Sequence, residues 1–273
     1  MRRWEGTSIR ARSPPPASGA TMNEARLIEL LVELHKGLRR LGPGNTASTR
    51  RALALCQGLP PAPDTLDVGC GSGAQTLALA SKLEGRITAT DLFPTFLGQL
   101  DARIQELGLE TRVTTQTADM AALPFAPNSF DLIWSEGAVC IMGFDQGLSQ
   151  WRPLVRPGGY LVVSEISWFR PDPPEELRAF WAEHCPAMRS VEENLEAARS
   201  LDWTPVGNFH LPVEAWTEDY YGPLKRRIPV FREALADDPD AQEVADMTEY
   251  EMKLMASYSS YCGYEFYILR REN

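Results

Sequence analysis

Thr65-Leu66-Asp67-Val68-Gly69-Cys70-Gly71-Ser72-Gly73 is the stretch whose reading decides the fold of this chain. It is a short apolar strand carrying a carboxylate, followed by glycines at alternate positions. Ala74-Gln75-Thr76-Leu77-Ala78-Leu79-Ala80 comes next and has the composition of a helix. A strand, a glycine turn and a helix in that order build a nucleotide site. Glycine lets the backbone adopt positive φ and approach a ligand, and the helix N-terminus offers unpaired N–H groups. A glycine pattern alone is weak, but here acidic strand ends recur downstream at fitting distances.

Downstream of the turn, strands and helices alternate. Arg86–Thr90 reads as a strand ending at Asp91, Phe93–Leu107 as a helix closed by Gly108, and Arg112–Thr117 as a strand before Asp119-Met120. Ser129–Trp134 is the next strand, Gly143–Val155 is helical, and the turn Arg156-Pro157-Gly158-Gly159 introduces a strand at Tyr160–Glu165. This alternation predicts an α/β, doubly wound, mostly parallel sheet, with ligands beyond the C-terminal strand ends. Asp67, Asp91, Asp119, Glu136 and Glu165 all fall on that rim. A single strand-end acid is ordinarily a cap or a solvated loop residue, but a whole row of them implies a site.

Asp91 follows Gly69 by about 22 residues, a spacing that suits a carboxylate accepting both ribose hydroxyls, and Leu92 is placed to lie against an adenine. Asp119 can accept from an adenine amino group, with Met120 adding a backbone N–H and apolar surface. Asp67 stands where a dinucleotide would bring its pyrophosphate and would repel it; a ligand bearing an ammonium and a sulfonium would be attracted. Gly69-x-Gly71-x-x-Ala74 loosely satisfies the dinucleotide fingerprint, so a nicotinamide-dependent oxidoreductase is the alternative. A catalytically silent, cofactor-binding regulatory domain is another.

The composition narrows the class. The chain has 273 residues and a formal charge of −10, with no Lys/Arg-rich tract. Nucleic-acid binding needs a basic stripe to displace counterions, so no nucleic-acid partner is expected. The five cysteines are scattered without a CxxC pair, which reads as reduced, cytoplasmic and metal-free. No apolar run approaches the roughly 20 residues needed to span a bilayer, so no membrane association is expected. The chain is long enough for one large domain with insertions; a homodimer stays open.

Residues 1–21 hold four arginines, the run Pro14-Pro15-Pro16 and no apolar periodicity. They read as a disordered extension, with Met22 as an alternative start. Helical periodicity begins at Asn23, with Leu27, Leu30, Leu31, Leu34 and Leu38 on one face and His35 as a partly exposed helix residue. Leu41-Gly42-Pro43-Gly44-Asn45 is a loop, with Thr46 or Ser48 as cap for a helix over Ser48–Gln57. It is either a plain turn or a lid whose backbone at Gly44 and Asn45 lies against the cofactor. Leu59-Pro60-Pro61-Ala62-Pro63 is a stiff linker into the first strand.

The chain resembles the class I S-adenosylmethionine-dependent methyltransferases. The resemblance rests on Leu66–Gly73, Asp91, Ala118-Asp119-Met120, Leu123-Pro124-Phe125, Ser129–Ile133 and Leu154–Gly159, and runs from about Thr65 to Ser167. Within the class it is similar to the small-molecule branch that includes ubiquinone/menaquinone-biosynthesis C-methyltransferases. It is closer still to a bacterial group with an upstream Gly-Pro-Gly loop, Trp134-Ser135-Glu136-Gly137 and Ser164-Glu165-x-Ser167-Trp168. The resemblance implies a seven-stranded sheet with a reversed final hairpin, placed at Trp203–Leu211 and Gly263–Arg271 after a helix at Asn194–Leu201. It also implies S-adenosylmethionine at Gly44, Asn45, Asp67, Gly69, Gly71, Gly73, Asp91, Leu92, Asp119, Met120 and Ser135, and methyl transfer to a small molecule.

The chain departs from that pattern in two insertions, at about 168–189 and 212–262, on a methyltransferase domain over 64–273 that follows an N-terminal helical lid at 22–63. Both insertions are rich in aromatics. These aromatics either form the core of a helical cap or shape an enclosed acceptor pocket, with Trp168, Trp216, Tyr220 and Tyr221 as the substrate-binding candidates. Val139-Cys140 follows Ala138 where related sequences carry a tyrosine, so no catalytic tyrosine is carried over. A hydroxyl or amine acceptor needs a base. Glu136 is favoured over Glu165, with His184 third and His210 structural.

Overall fold

A computed structural model describes residues 22–272; the expected extension at 1–21 lies outside them. The chain opens with helix α1 (Glu24–His35) and helix α2 (Thr46–Leu55). Asn45, not Thr46 or Ser48, caps α2: its side-chain oxygen accepts from the Ser48 N–H at 2.8 Å. Then come β1 (Thr65–Val68), α3 (Ala74–Ala80), β2 (Ile87–Asp91), α4 (Pro94–Leu107), β3 (Val113–Thr117) and β4 (Phe130–Glu136). Helix α5 (Phe144–Trp151) leads to β5 (Val155–Trp168), α6 (Glu175–His184), the two-residue β6 (Arg189–Ser190), α7 (Val191–Ser200) and β7 (Trp203–His210). The last insertion folds as α8 (Val213–Trp216), a π-turn at Thr217–Tyr221, α9 (Gly222–Ala234) and α10 (Pro239–Tyr258), before β8 (Cys262–Arg271).

The sheet runs β3-β2-β1-β4-β5-β8-β7, with β6 pairing to β5. Strands β1 to β5 are parallel, whereas β8 is antiparallel to both β5 and β7. The expected reversed hairpin is therefore present, and β6 adds a short strand to the expected seven. Strand order reverses at β1, which lies between β2 and β4, and a ligand crevice opens beyond such a point. Strand β5 is longer than its apolar run suggested. It starts before the Pro157-Gly158-Gly159 turn, and its register with β4 slips between Phe130 and Leu132.

Side-chain alternation explains the burial. Along β5, Tyr160 and Val162 enter one core with Leu79, Ala89, Leu100 and Trp134. Leu161 and Val163 enter the other with Ile133, Leu148, Trp151 and Tyr267. A sheet covered on both faces needs near-continuous apolar strands, as Asp131-Leu132-Ile133-Trp134 and Tyr160-Leu161-Val162-Val163 supply. Helix α1 packs against α9 and α10, and Arg227 donates to the Glu33 carbonyl at 3.1 Å. The N-terminal helix and the late insertion thus build one cap over the C-terminal rim. No helix of the described residues is long and apolar enough to cross a membrane.

Candidate active site

Beyond β1 the backbone turns through left-handed Gly69, Gly71 and Gly73, at φ of 69°, 54° and 83°. At Gly71 the glycine is also required sterically: a Cβ there would lie 2.7 Å from Leu41 Cδ1. Leu41 belongs to the lid, so the lid lies directly on the glycine turn. Asp91 holds the turn from the next strand. One of its oxygens accepts from the Gly71 N–H and the other from the Phe93 N–H, each at 2.9 Å. Burial raises the Asp91 carboxyl above its ordinary range, against these hydrogen bonds. Each oxygen keeps a lone pair for a ligand hydroxyl. Leu92, 55% exposed, stands beside it as open apolar surface.

Asp67 differs from expectation. It is fully buried, and its oxygens accept from Thr76 Oγ1 at 2.5 Å and Gln75 Nε2 at 3.3 Å. Desolvation pushes its carboxyl up to about 7. The carboxylate ties β1 to α3 and has no surface open to a ligand; the first turn of the following helix takes both lone-pair faces. Asp119 accepts the Ala121 N–H at 2.8 Å on one oxygen; its other oxygen has no partner among the described residues. The Met120 carbonyl accepts from Trp151 Nε1 at 3.0 Å, and its side chain reaches Gly69. Ser135 is fully buried with an unpartnered hydroxyl.

Glu136 is also placed differently from its expected role as base. One oxygen pairs with Arg40 Nη1 at 2.8 Å; the other accepts from Thr49 Oγ1 at 2.6 Å and Trp134 Nε1 at 2.9 Å. Both partners of the ion pair are buried, with side chains 10% and 2% exposed. The carboxylate is spent on fastening the lid to β4, because a buried charge requires a partner. Gly44 closes over this pair, since a Cβ there would lie 2.2 Å from Arg40 Nη1. The Gly44 N–H donates to the Ala215 carbonyl of α8 at 3.2 Å, joining lid to cap. Asn45 spends its side chain on capping α2.

Glu165 has the freedom that Glu136 lacks. It is 6% exposed, one oxygen accepts the Ile166 N–H at 3.1 Å, and the other, Oε2, is buried without a partner among the described residues. Burial pushes its carboxyl up to about 8, against a smaller downward pull from Arg189. Cys140, Cys185 and Tyr264 all lie within reach of its field. Burial drives both thiols upward, Cys185 to about 12, so neither is a thiolate at neutral pH. A carboxyl raised in the fold favours the protonated state, so its stabilising contribution is largest at low pH. It declines from the unfolded value near 4.3 up to about 8. Glu165→Gln is therefore expected to raise stability by about 2 kcal/mol at pH 8 and to change little at pH 4, as read from denaturant melts at the two pH values.

The histidines and cap aromatics divide between packing and the rim. His35 is buried rather than partly exposed: its Nε2 meets the Tyr220 hydroxyl at 2.9 Å and its Nδ1 the Leu31 carbonyl at 2.8 Å. Desolvation lowers it, as it does His184, which packs on Phe180 with ring centroids 4.2 Å apart. Tyr221 donates to Glu251 Oε1 at 2.7 Å within the cap. Trp216 is the cap residue that reaches the sheet, 5.2 Å from the Tyr264 ring centroid. Half-buried Trp168 ends β5 opposite Cys262. A cleft lined by Phe169, Leu211, Trp216, Tyr221, Met255 and Gly263 opens beside them. Arg40, Thr49 and Tyr264 escaped the sequence reading; only the Gly-Pro-Gly loop beside Arg40 hinted at them.

Residues 65–159 match a family described as a methyltransferase domain. With its reversed final hairpin, the mostly parallel sheet has the Rossmann-like fold of solved methyltransferases. It is 35% identical over 102 residues to the methyltransferase GfsG of Streptomyces halstedii, covering 37% of this chain and 37% of GfsG. To the uncharacterized methyltransferase YodH of Bacillus subtilis it is 30% identical over 156 residues, covering 56% of this chain and 64% of YodH. The matches thus span less than two thirds of either relative's length. Among solved structures, a SAM-dependent methyltransferase from Geobacter sulfurreducens in complex with S-adenosyl-L-homocysteine is similar in fold. Its TM-score is 0.75 at 24% identity, over 88% of this chain and 97% of that one.

Proposed function

We propose that this protein transfers a methyl group from S-adenosylmethionine to a small-molecule acceptor. The observation that carries the reading is the left-handed glycine turn pinned by Asp91 at the point where strand order reverses. The residues fit the cofactor: Asp91 offers free lone pairs beside exposed Leu92, Asp119 keeps an unpartnered oxygen, and Ser135 has an orphaned hydroxyl. Gly69, Gly71 and Gly73 would line the amino-acid portion, with Asp67 acting through the shape of the turn. Leu41, Gly44 and Asn45 would close over it as a lid.

Bound S-adenosylmethionine supplies an electrophilic methyl carbon, and the chain supplies alignment and desolvation. Glu165 is the base in this reading, because its Oε2 is buried with no hydrogen-bond partner among the described residues, while Glu136 latches the lid. A base poised near the working pH is the most effective kind. His184 packs on Phe180 of the same helix, and Trp216 and Trp168 would wall the acceptor side. The nicotinamide alternative is not favoured, since the relatives are methyltransferases. Calorimetric titration with S-adenosylhomocysteine, paired with an assay of its release from S-adenosylmethionine against acceptor pools, tests the proposal. Binding with acceptor-dependent release is expected; absence of binding overturns it.

A further inference from the structure

The lid loop at 36–45 is fastened on two sides. Toward the glycine turn, the Leu38 carbonyl accepts from Ser72 Oγ at 2.9 Å, and the Gly37 N–H donates to Gln99 Oε1 of α4 at 3.1 Å. Leu41 lies against Gly71, and Arg40 pairs with Glu136 at 2.8 Å. Toward the cap, the Gly44 N–H donates to the Ala215 carbonyl of α8 at 3.2 Å. His35, which ends α1 just before the lid, makes a second tie. Its Nδ1 meets the Leu31 carbonyl, which can only accept, so Nδ1 carries the proton and Nε2 accepts from the Tyr220 hydroxyl at 2.9 Å. A third tie runs from Arg227 of α9 to the carbonyl and carboxylate of Glu33, at 3.1 and 3.3 Å.

Two of these ties end beside the cleft. Ala215 precedes Trp216 and Tyr220 precedes Tyr221, and both of the following residues line it, as do Val213 and Thr217 of the same segment. Cys262 and Gly263, which also line it, are set on β8 instead, with Phe169 at the end of β5. The wall contributed by α8 and the π-turn is thus bonded to the lid, while the rest stands on the sheet. The π-turn at Thr217–Tyr221 gives this segment its double attachment. Tyr220 reaches α1, whereas its neighbour Tyr221 donates to Glu251 Oε1 of α10 at 2.7 Å. Such turns are rare and recur at functional sites.

We infer that lid and cap move as one body, so that closing the lid on the cofactor also builds the acceptor wall. This rests on the methyl-transfer reading above. The lid lies on the glycine turn, so the cofactor enters and leaves as the lid lifts. The three ties then carry α8 and the π-turn with it and part them from the residues on the sheet. Cofactor therefore binds first and acceptor second. Coupling between two sites is reciprocal, so an occupied acceptor cleft slows escape of the cofactor and keeps water from the reacting carbon.

Hydrogen–deuterium exchange on the full chain, with and without S-adenosylhomocysteine, tests the coupling. The ligand is expected to slow exchange by about tenfold or more at 36–45 and also at 213–221. Tyr220→Phe keeps the ring and removes its hydrogen bond to His35. It should leave the slowing at 36–45 and reduce that at 213–221 by about threefold to tenfold. Arg40→Met releases the lid without any ligand and should speed exchange at 213–221 together with 36–45, while 160–163 of β5 stays unchanged as the reference for intact folding. Slowing confined to 36–45 overturns the inference, as does full slowing at 213–221 in Tyr220→Phe, or an Arg40→Met variant that frees the lid alone. Calorimetry reports separately on the methyltransferase reading: if S-adenosylhomocysteine does not bind, that reading fails, and the Arg40→Met comparison alone decides the coupling.

Discussion

Asp91→Ala is expected to weaken S-adenosylhomocysteine binding by at least about a hundredfold, measured by calorimetry on the folded variant. Two effects combine. In the proposed cofactor pose the ribose hydroxyls lose a charged acceptor, and a hydrogen bond to a charged group contributes about 1.5–3 kcal/mol. The glycine turn also loses its anchor, because Asp91 is what holds the Gly71 N–H at 2.9 Å. Gly71 sits at φ 54°, in the left-handed region. The same substitution frees the Phe93 N–H at the start of α4, so a melting temperature lower by several degrees should accompany the loss. Asp91→Asn separates the two contributions: it keeps the size of the side chain and removes the charge. Wild-type affinity in Asp91→Ala would show that the cofactor does not lie against β2.

The second large effect concerns the lid. Arg40→Met strands the Glu136 carboxylate in a site where both side chains are nearly inaccessible. Removing one partner of a buried ion pair costs about 3–5 kcal/mol, far more than the pair is worth relative to an apolar replacement. Denaturant unfolding should show that loss. Limited proteolysis should show new cleavage within 36–45, where Leu41, Gly44 and Arg40 bind the lid to the turn, α8 and β4. The double variant Arg40→Met/Glu136→Leu should recover most of the stability, although Thr49 and Trp134 then lose an acceptor. If Arg40→Met is neutral, the lid is not fastened at this point. A catalytic role for Glu136 would instead appear as lost turnover with cofactor affinity unchanged.

Much of the fold is written locally. The glycine turn, the strand–helix alternation and the long apolar runs of β4 and β5 are short-range patterns, so their periodicity and turn chemistry predict them directly. The reversed hairpin came from the resemblance, because nothing local in Trp203–His210 or Cys262–Arg271 announces an antiparallel neighbour. The site divides the same way. Asp91 and Leu92 keep their expected positions at the end of β2, since strand end and turn fix them. Asp67 precedes the glycines in sequence, yet it turns toward α3, because Thr76 and Gln75 present donors to it from the first turn of that helix.

Glu136 and Glu165 look alike in sequence: both are acids at the ends of apolar strands. Only the tertiary structure tells them apart. Arg40 reaches one oxygen of Glu136 from 96 residues away, and Thr49 and Trp134 take the other, while no partner among the described residues reaches Glu165 Oε2. Tyr264 comes to lie beside Ile166, on the other face of the sheet from Glu165, only because β8 pairs antiparallel to β5. The sequence by itself determined the nucleotide-type turn, the sheet that carries it and the row of acids along its rim, since those depend on neighbours a few residues apart. The tertiary structure decided which acid is latched and which is free. Charge pairing and burial depend on groups brought together from distant parts of the chain, and no local pattern encodes that meeting.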